Sequence, residues 1–469
     1  MNKFINRKFE LDALQMRAGS GKPELFVIYG KRRVGKTELV KQCFKGQDFI
    51  YLLADKRNDK DLLLDFSKTL GEYFDDVGVR MTGLPDWVTF FKYLREKAGD
   101  KRLVIVVDEF PFLASANKAI PSLFQKGWDE HMSHSNIFLI IMGSSISMME
   151  KGVLAYRSPL YGRRTGQLLL EPLRFSDSRE FFPNMSIREQ IETYSVLGGI
   201  PAYLLQFSLD KGLLQNIGDN MLRRDAFLYN EVEFVLREEL REPRNYFSIL
   251  KEMAFGRTSV NELSQAVGLD RNKLSRYLSI LEGLRIITRD IPVTERHPHK
   301  SRKGVYAIGD NFFRFWFEFV FPHKDHIERD EPDFVISKIK ERMNEFVGHT
   351  FEAICMDSLS ELAKQHIAPF SFTRIGKWWE GEEEIDIVAL NEDSKDILFA
   401  ECKWRNEATS VDVLDNLVRK SRLVKWNNGE RKEHFALFSR SGFTQACLAQ
   451  CKEKGVLALD LDDLAKIRQ

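Results

Sequence analysis

The chain has 469 residues, 43% of them hydrophobic and 30% charged, with a formal net charge of +1 at pH 7. That length suits about three domains, and the composition excludes a disordered or fibrous chain. A charge so near zero also excludes any argument for nucleic-acid binding from the global balance, leaving only local patches.

Cys43, Cys355, Cys402, Cys447 and Cys451 are scattered and form no metal-ligand quartet, so reduced thiols are expected. Residues 1–7 lead into a charged helix without an apolar secretory core. The most apolar run, 312–321, contains Arg314 and Glu318 and is about half the length of a membrane span. The expectation is a cytoplasmic protein with no membrane contact.

Residues 1–24 read as a helix and a turn leading into the apolar strand Leu25-Phe26-Val27-Ile28-Tyr29. Then come Gly30, Lys31, Arg32, Arg33, Val34, Gly35, Lys36 and Thr37, the phosphate-binding pattern G-x-x-x-x-G-K-[ST]. The glycines let backbone N–H groups face a polyphosphate, Lys36 reaches its β and γ phosphates, and the Thr37 hydroxyl suits Mg²⁺. Glu38 comes next, in the first turn of a helix whose positive end favours the anion. ATP with Mg²⁺ is the expected ligand.

Four further apolar runs (49–54, 103–107, 137–142 and 167–170) alternate with helical stretches. Strands apolar on both faces and separated by helices argue for a parallel sheet covered on both sides. The run 103–107 ends in Asp108-Glu109, where ligands bind in such sheets. Asp108 is expected to hold Mg²⁺, largely through its waters, and Glu109 to polarise the attacking water. Ser144, in Gly143-Ser144-Ser145, is a candidate γ-phosphate sensor, with ordinary turn chemistry as the alternative.

Asn6-Arg7, Glu10-Leu11, the loop 30–37, Asp108-Glu109-Phe110-Pro111, Gly143-Ser144-Ser145 and the run 198–203 together give a resemblance over about residues 1–235. This part of the chain resembles the archaeal-type ATPases, additional-strand P-loop proteins close to AAA+ and STAND NTPases. The resemblance implies the sheet order 5-1-4-3-2, a helical lid from residues 172–235, and Gly199 and Pro201 near the nucleotide. Arg163 and Arg164 are candidates for an arginine finger, with surface salt bridging as the alternative. Lys8 departs from the acid often found there.

Residues 236–310 read as a winged helix-turn-helix. The pattern is a helix over 247–255, a helix opened by a Ser259/Glu262 capping box, a turn at 268–270, a helix over 271–282 and a hairpin with its tip at 295–303. Arg271, Asn272, Lys273, Ser275, Arg276 and Tyr277 would face a DNA groove. Arg296, His297, His299, Lys300, Arg302 and Lys303 would touch phosphate or the minor groove. The alternative is a protein-contact module with a solvated tip. Beyond it lies a linker and aromatic segment, 311–335.

Residues 336–469 carry Glu352 on a helix over 345–362, then two strands, 385–390 and 397–404, joined by a polar turn. With Asp386, Glu401-Cys402-Lys403 and Glu352 this part resembles the PD-(D/E)XK nuclease fold, as the domain of unknown function that commonly follows archaeal ATPases. Ile385 stands where the family name has proline. Alternation along a strand puts Glu401 and Lys403 on one face, and pairing Leu390 with Ile397 sets Asp386 opposite Glu401. Such facing carboxylates suit Mg²⁺ or Mn²⁺, with Glu352 as a further ligand and Lys403 as the group that orients or deprotonates water. Glu382, Glu383 and Glu384 read as a solvated turn.

The expectation is thus a multidomain α/β protein. It comprises an ATPase core (1–171), a lid (172–235), the winged helix, the aromatic segment and a restriction-endonuclease-like α/β domain. It would hydrolyse ATP and act on DNA as an ATP-regulated, Mg²⁺-dependent deoxyribonuclease. The alternatives are a nucleotide switch that grips a partner protein or DNA, and a transcription regulator. Oligomeric state is left open.

Overall fold

The structure, a computed structural model, describes residues 4–240, 242–301 and 303–467. It divides into two compact units, Met1–Pro172 with Ile200–Ala202, and Leu173–Gly199 with Tyr203–Gln469.

In the first unit the apolar runs become β1 (Glu24–Tyr29), β2 (Ile50–Leu53), β3 (Leu103–Asp108), β4 (Ile137–Gly143) and β5 (Gly166–Leu169). All neighbours pair in parallel, in the order β2-β3-β4-β1-β5. This is the expected order read from the other edge. Period-two alternation sends Leu25, Val27, Ile105 and Leu139 into one core, and Phe26, Ile28, Val104 and Phe138 into another on the opposite face. Burial on both faces explains why these strands carry no polar alternation.

The second unit holds helices Pro243–Ala254, Val260–Val267 and Arg271–Gly283, and after them the antiparallel pair β6 (Ile287–Asp290) and β7 (Val305–Ile308). The Ser259/Glu262 capping box forms as expected. Of residues 311–335, the aromatic part up to Val320 is core, while 321–335 are mostly exposed or half-buried apart from Ile327 and Val335. The segment from Asn311 through a π-turn to Val320 buries Phe312, Phe315, Trp316 and Phe317 completely. Pro332 then starts a helix running to Lys364, longer than the expected 345–362. Proline at the first helical position suits that start, and the rest of the helix contains no second proline to break it.

The last sheet consists of β8 (Arg374–Glu380), β9 (Glu383–Leu390), β10 (Asp396–Lys403), β11 (Lys432–Ser439) and β12 (Leu457–Asp460), in the order β12-β11-β10-β9-β8. β9 and β10 pair antiparallel from Leu390 opposite Ile397 to Ala400 opposite Ile387, the register expected from the turn. Cys402 turns to the other face of the sheet, buried beside Cys355 of the long helix. Among the described residues, no helix is long and apolar enough to cross a membrane.

Candidate functional site

The loop between β1 and the helix Lys36–Cys43 needs both of its glycines. Gly30, at φ 156°, would place a Cβ 2.3 Å from the Leu170 carbonyl oxygen. Gly35, at φ 99°, caps the helix in a conformation that L side chains rarely adopt. Lys36 is buried and its Nζ donates to the Gly30 and Lys31 carbonyls, each at 3.0 Å. Lys31, Arg32 and Arg33 are half-buried and Val34 is in the core, whereas Glu38 faces outward and pairs with Lys41 at 3.4 Å. Glu38, a candidate nucleotide contact from its place after Thr37, is thus engaged in a surface ion pair.

Asp108 ends β3 only 4% exposed. Thr37 Oγ1 donates to Asp108 Oδ2 at 3.1 Å, so the two expected Mg²⁺ residues meet. Tyr51 on β2 also donates its hydroxyl to Asp108 Oδ2, and burial together with that carboxylate pushes the phenol well above its ordinary range. Tyr51 was not foreseen, because its reach depends on how β2 and β3 are registered. Glu109 sits in the left-handed region at φ 54°, a costly position for a non-glycine residue and one frequent at functional sites. Ser144 Oγ donates to Glu109 Oε2 at 2.9 Å, and Ser144 N to the same oxygen at 3.3 Å. The sensor candidate and the candidate water-polarising acid are thus one hydrogen-bonded pair.

Arg7 is 8% exposed and donates from Nη2 to the Glu171 carbonyl at 2.6 Å and to the Val34 carbonyl at 3.4 Å. It braces the phosphate loop from outside. Arg163 makes the surface salt bridge that the sequence left as an alternative, holding Asp129 through Nε at 3.2 Å and Nη2 at 3.0 Å. Arg164 lies over the Tyr161 ring and donates to the Leu154 carbonyl. Pro201 opens the short helix Pro201–Leu204.

On helix Arg271–Gly283 the buried face is Leu274, Leu278 and Leu281, which leaves Arg271, Lys273 and Arg276 exposed. Tyr277 departs from the expectation. It turns inward, accepting from Asn245 Nδ2 at 2.7 Å and packing edge-on against Tyr246. Lys300 is exposed and Lys303 pairs with Glu295 at 2.8 Å, while Arg302 lies outside the described residues.

At the C-terminal sheet, Glu352, Glu384 and Asp386 bring one oxygen each within 4.8 Å of one another. Glu384, assigned to a solvated turn, belongs to this group because it lies two residues before Asp386 and so on the same face of β9. Asp386 Oδ2 accepts from Cys402 N at 2.8 Å. Burial, then the charges of Glu401 and Glu352, push the Asp386 carboxyl up to about 7. Glu401 is 5% exposed; its Oε1 accepts from Lys403 at 2.6 Å and Lys420 at 3.4 Å. Its Oε2 is buried with no hydrogen-bond partner among the described residues. An orphaned carboxylate oxygen beside a crowded carboxylate group is a donor set that fits a hard divalent cation. Lys377 on β8 donates to Glu352 Oε2. Burial opposes its charge, but Glu352 and Glu384 hold the ammonium above the ordinary lysine range. Lys377 and Lys420 carried no sequence signal.

Comparison with known proteins adds the lineage. Residues 4–207 match the family described as an ATPase domain predominantly from Archaea. Residues 188–306 match a domain of unknown function, and 316–414 a family described as "Archaea bacterial proteins of unknown function". An uncharacterized protein of Methanocaldococcus jannaschii is 37% identical over 465 residues, covering 98% of this chain and 100% of its own length. An uncharacterized ATP-binding protein of the same organism is 49% identical over 44 residues, 9% of this chain and 75% of that protein. A Walker-type ATPase of Pyrococcus abyssi aligns with a TM-score of 0.51 at 19% identity, over 67% of this chain and 96% of that one, and shares the fold. With its phosphate loop and a relative matched end to end, the chain belongs to the family of archaeal-type P-loop ATPases.

Proposed function

We propose that ATP binding and hydrolysis by the N-terminal unit regulate metal-dependent phosphodiester cleavage of DNA by residues 336–469. The observation that carries the nuclease half is the group Glu352, Glu384 and Asp386, with Glu401 acting on Asp386 by its charge, bonded to Lys403 and keeping one buried oxygen without a partner among the described residues. Asp386, Glu401 and Glu352 would hold Mg²⁺ or Mn²⁺, which would neutralise charge on the phosphodiester. Lys403, on the same strand face as Glu401, orients or deprotonates the attacking water. In the ATPase half, Thr37 and Asp108 would hold Mg²⁺, Lys36 binds phosphate, and Glu109, fixed by Ser144, draws a proton from the attacking water. Residues 172–235, with Pro201, act as the lid. The three helices and hairpin of 236–310 act as a winged helix that presents Arg271, Lys273, Arg276 and Lys300 to the DNA backbone.

A second reading, a nucleotide-driven scaffold with an inactive C-terminal domain, is favoured by one observation. Lys377, Lys403 and Lys420 already compensate much of the carboxylate charge. The two readings separate on one experiment. Purified protein is incubated with plasmid, single-stranded and branched DNA in Mg²⁺ or Mn²⁺, with and without ATP, alongside Asp386→Ala and Lys36→Ala. Metal-dependent cutting that Asp386→Ala abolishes establishes the nuclease, and its loss in Lys36→Ala establishes nucleotide control. ATP hydrolysis without cutting of any substrate rejects the nuclease in favour of the scaffold.

A further inference from the structure

Lys377 occupies an unusual place in β8. The pairing of β8 with β9 shifts register between Gly376 and Trp378, where Lys377 alone faces Asp386 and Ile387, so the extra residue of a bulge lies on β9, opposite Lys377. Bulges bend the strand that carries them and are over-represented beside active sites. Opposite this one, the Lys377 ammonium reaches Glu352, the helix acid of the carboxylate group, at a partly buried position. Its charge also acts on Glu384 and Asp386.

Lys377 is held from outside. The Val293 N–H, just beyond β6, donates to the Lys377 carbonyl at 2.9 Å. Val293 is buried, and its Cβ lies 3.4 Å from where a side chain on Gly376 would begin. Arg374 Nη2 donates to the Glu295 carbonyl at 2.8 Å. Residues 293–295 therefore form a strap along β8. The same connection continues into Arg296, His297, His299 and Lys300, all basic or titratable and all exposed at the tip. The tip is thus solvated at its end and anchored at its first residues.

We propose that Lys377 is a positioning residue: a built-in cation that competes with a divalent metal ion for Glu352, Glu384 and Asp386, and whose seat is set by the strap 293–295. This rests on the carboxylate group being a metal site, as in the proposed function. The chemistry is a competition for the same oxygens. An ammonium satisfies crowded carboxylates with one charge and hydrogen bonds, whereas a divalent ion needs those oxygens as direct ligands. Seating the metal requires Lys377 to leave Glu352. Polyanion bound at the basic tip would move the strap, release the Lys377 backbone and favour that exchange. By linkage, metal would then strengthen polyanion binding to the same degree.

The test is Mn²⁺ titration by calorimetry on the full chain without nucleotide, with Asp386→Asn as the reference trace for sites elsewhere. Lys377→Met should bind Mn²⁺ about tenfold more tightly than the parent or better, because a competing charge is gone. Lys377→Arg should stay close to the parent. A short DNA duplex should tighten Mn²⁺ binding to the parent and leave Lys377→Met unchanged. Unchanged or weaker Mn²⁺ binding by Lys377→Met overturns the proposal and makes Lys377 a structural ion pair. No Mn²⁺ binding by any of the proteins is a different result, and rejects the metal site itself. Val293→Pro, which removes the pinning N–H, should alter Mn²⁺ affinity in the parent but not in Lys377→Met; equal effects in both would remove the strap from the mechanism.

Discussion

The two acidic sites of this molecule are assembled on opposite principles. In the N-terminal unit each carboxylate is met by neutral donors: Asp108 by the hydroxyls of Thr37 and Tyr51, and Glu109 by Ser144. In the C-terminal sheet carboxylates meet carboxylates, with lysine ammonium groups between them and one buried oxygen left over. Hydroxyl donors fix an acid's orientation without bringing a charge of their own, which suits a site that works each time a nucleotide arrives. Crowded acids raise one another's affinity for protons and for cations alike, which suits a site whose state depends on what neutralises it.

The strongest way to break this contrast is at the phosphate loop. Lys36→Ala should lower ATP hydrolysis by about a thousandfold, the scale for removing a preorganised charge from a transition state, and should weaken nucleotide binding as well. Glu109→Gln should come next. It should lose about a hundredfold in steady-state phosphate release while retaining ATP binding in a fluorescent-nucleotide titration. If Glu109→Gln hydrolysed at the parental rate, the water-polarising role would pass to another group, and its pairing with Ser144 would be structural only.

The same difference governs how much of each site could be read in the sequence. The phosphate loop is contiguous, so its residue types and spacing carry the chemistry by themselves. The register of β9 on β10 was also legible, because a tight connection from Leu390 to Ile397 fixes it as far as Ile387 opposite Ala400. Lys377 was not, since its contact with Glu352 depends on how the long helix packs against β8, which no local pattern carries. Tyr51 depended on which strand lies beside β3 and at what offset. Two departures did carry a signal. Glu384 shares the strand parity of Asp386, and Tyr277 lies three residues after Leu274, on the inward edge of its helix. Local pattern thus reached the contiguous site, and tertiary register was needed for the rest.

The C-terminal site should reveal itself through pH. Asp386 titrates near 7 in the folded chain against an ordinary 3.8, so between those values the folded protein holds a proton that the unfolded chain has released. Stability from this group is therefore greatest below about pH 4 and is lost as pH rises to about 7. With chelator present, the melting temperature of the parent should fall across that window by about 4 °C more than that of Asp386→Asn. Added Mn²⁺ should flatten the excess slope, because a cation replaces the proton. Parallel slopes in parent and variant would mean that Asp386 is ionised throughout, and that its neighbours are less crowded than the geometry indicates.

The smallest effect tests the other side of the contrast. Tyr51→Phe removes one hydroxyl donor from Asp108 and leaves Thr37 in place. A hydrogen bond to a charged group contributes about 1.5–3 kcal/mol, but a carboxylate next to a bound Mg²⁺ water shell can recover part of that from solvent. The expected result is about a fivefold higher Mg²⁺ requirement for ATP hydrolysis, with metal-free nucleotide binding unchanged, measured by titrating Mg²⁺ at fixed ATP. The split matters more than the size. A change confined to the Mg²⁺ requirement means that the hydroxyl orients an acid already held by a second donor. A loss as large as that of Lys36→Ala would mean that Asp108 depends on one partner as fully as Glu352 depends on Lys377, and the distinction between a hydroxyl-built site and a charge-crowded one would no longer hold.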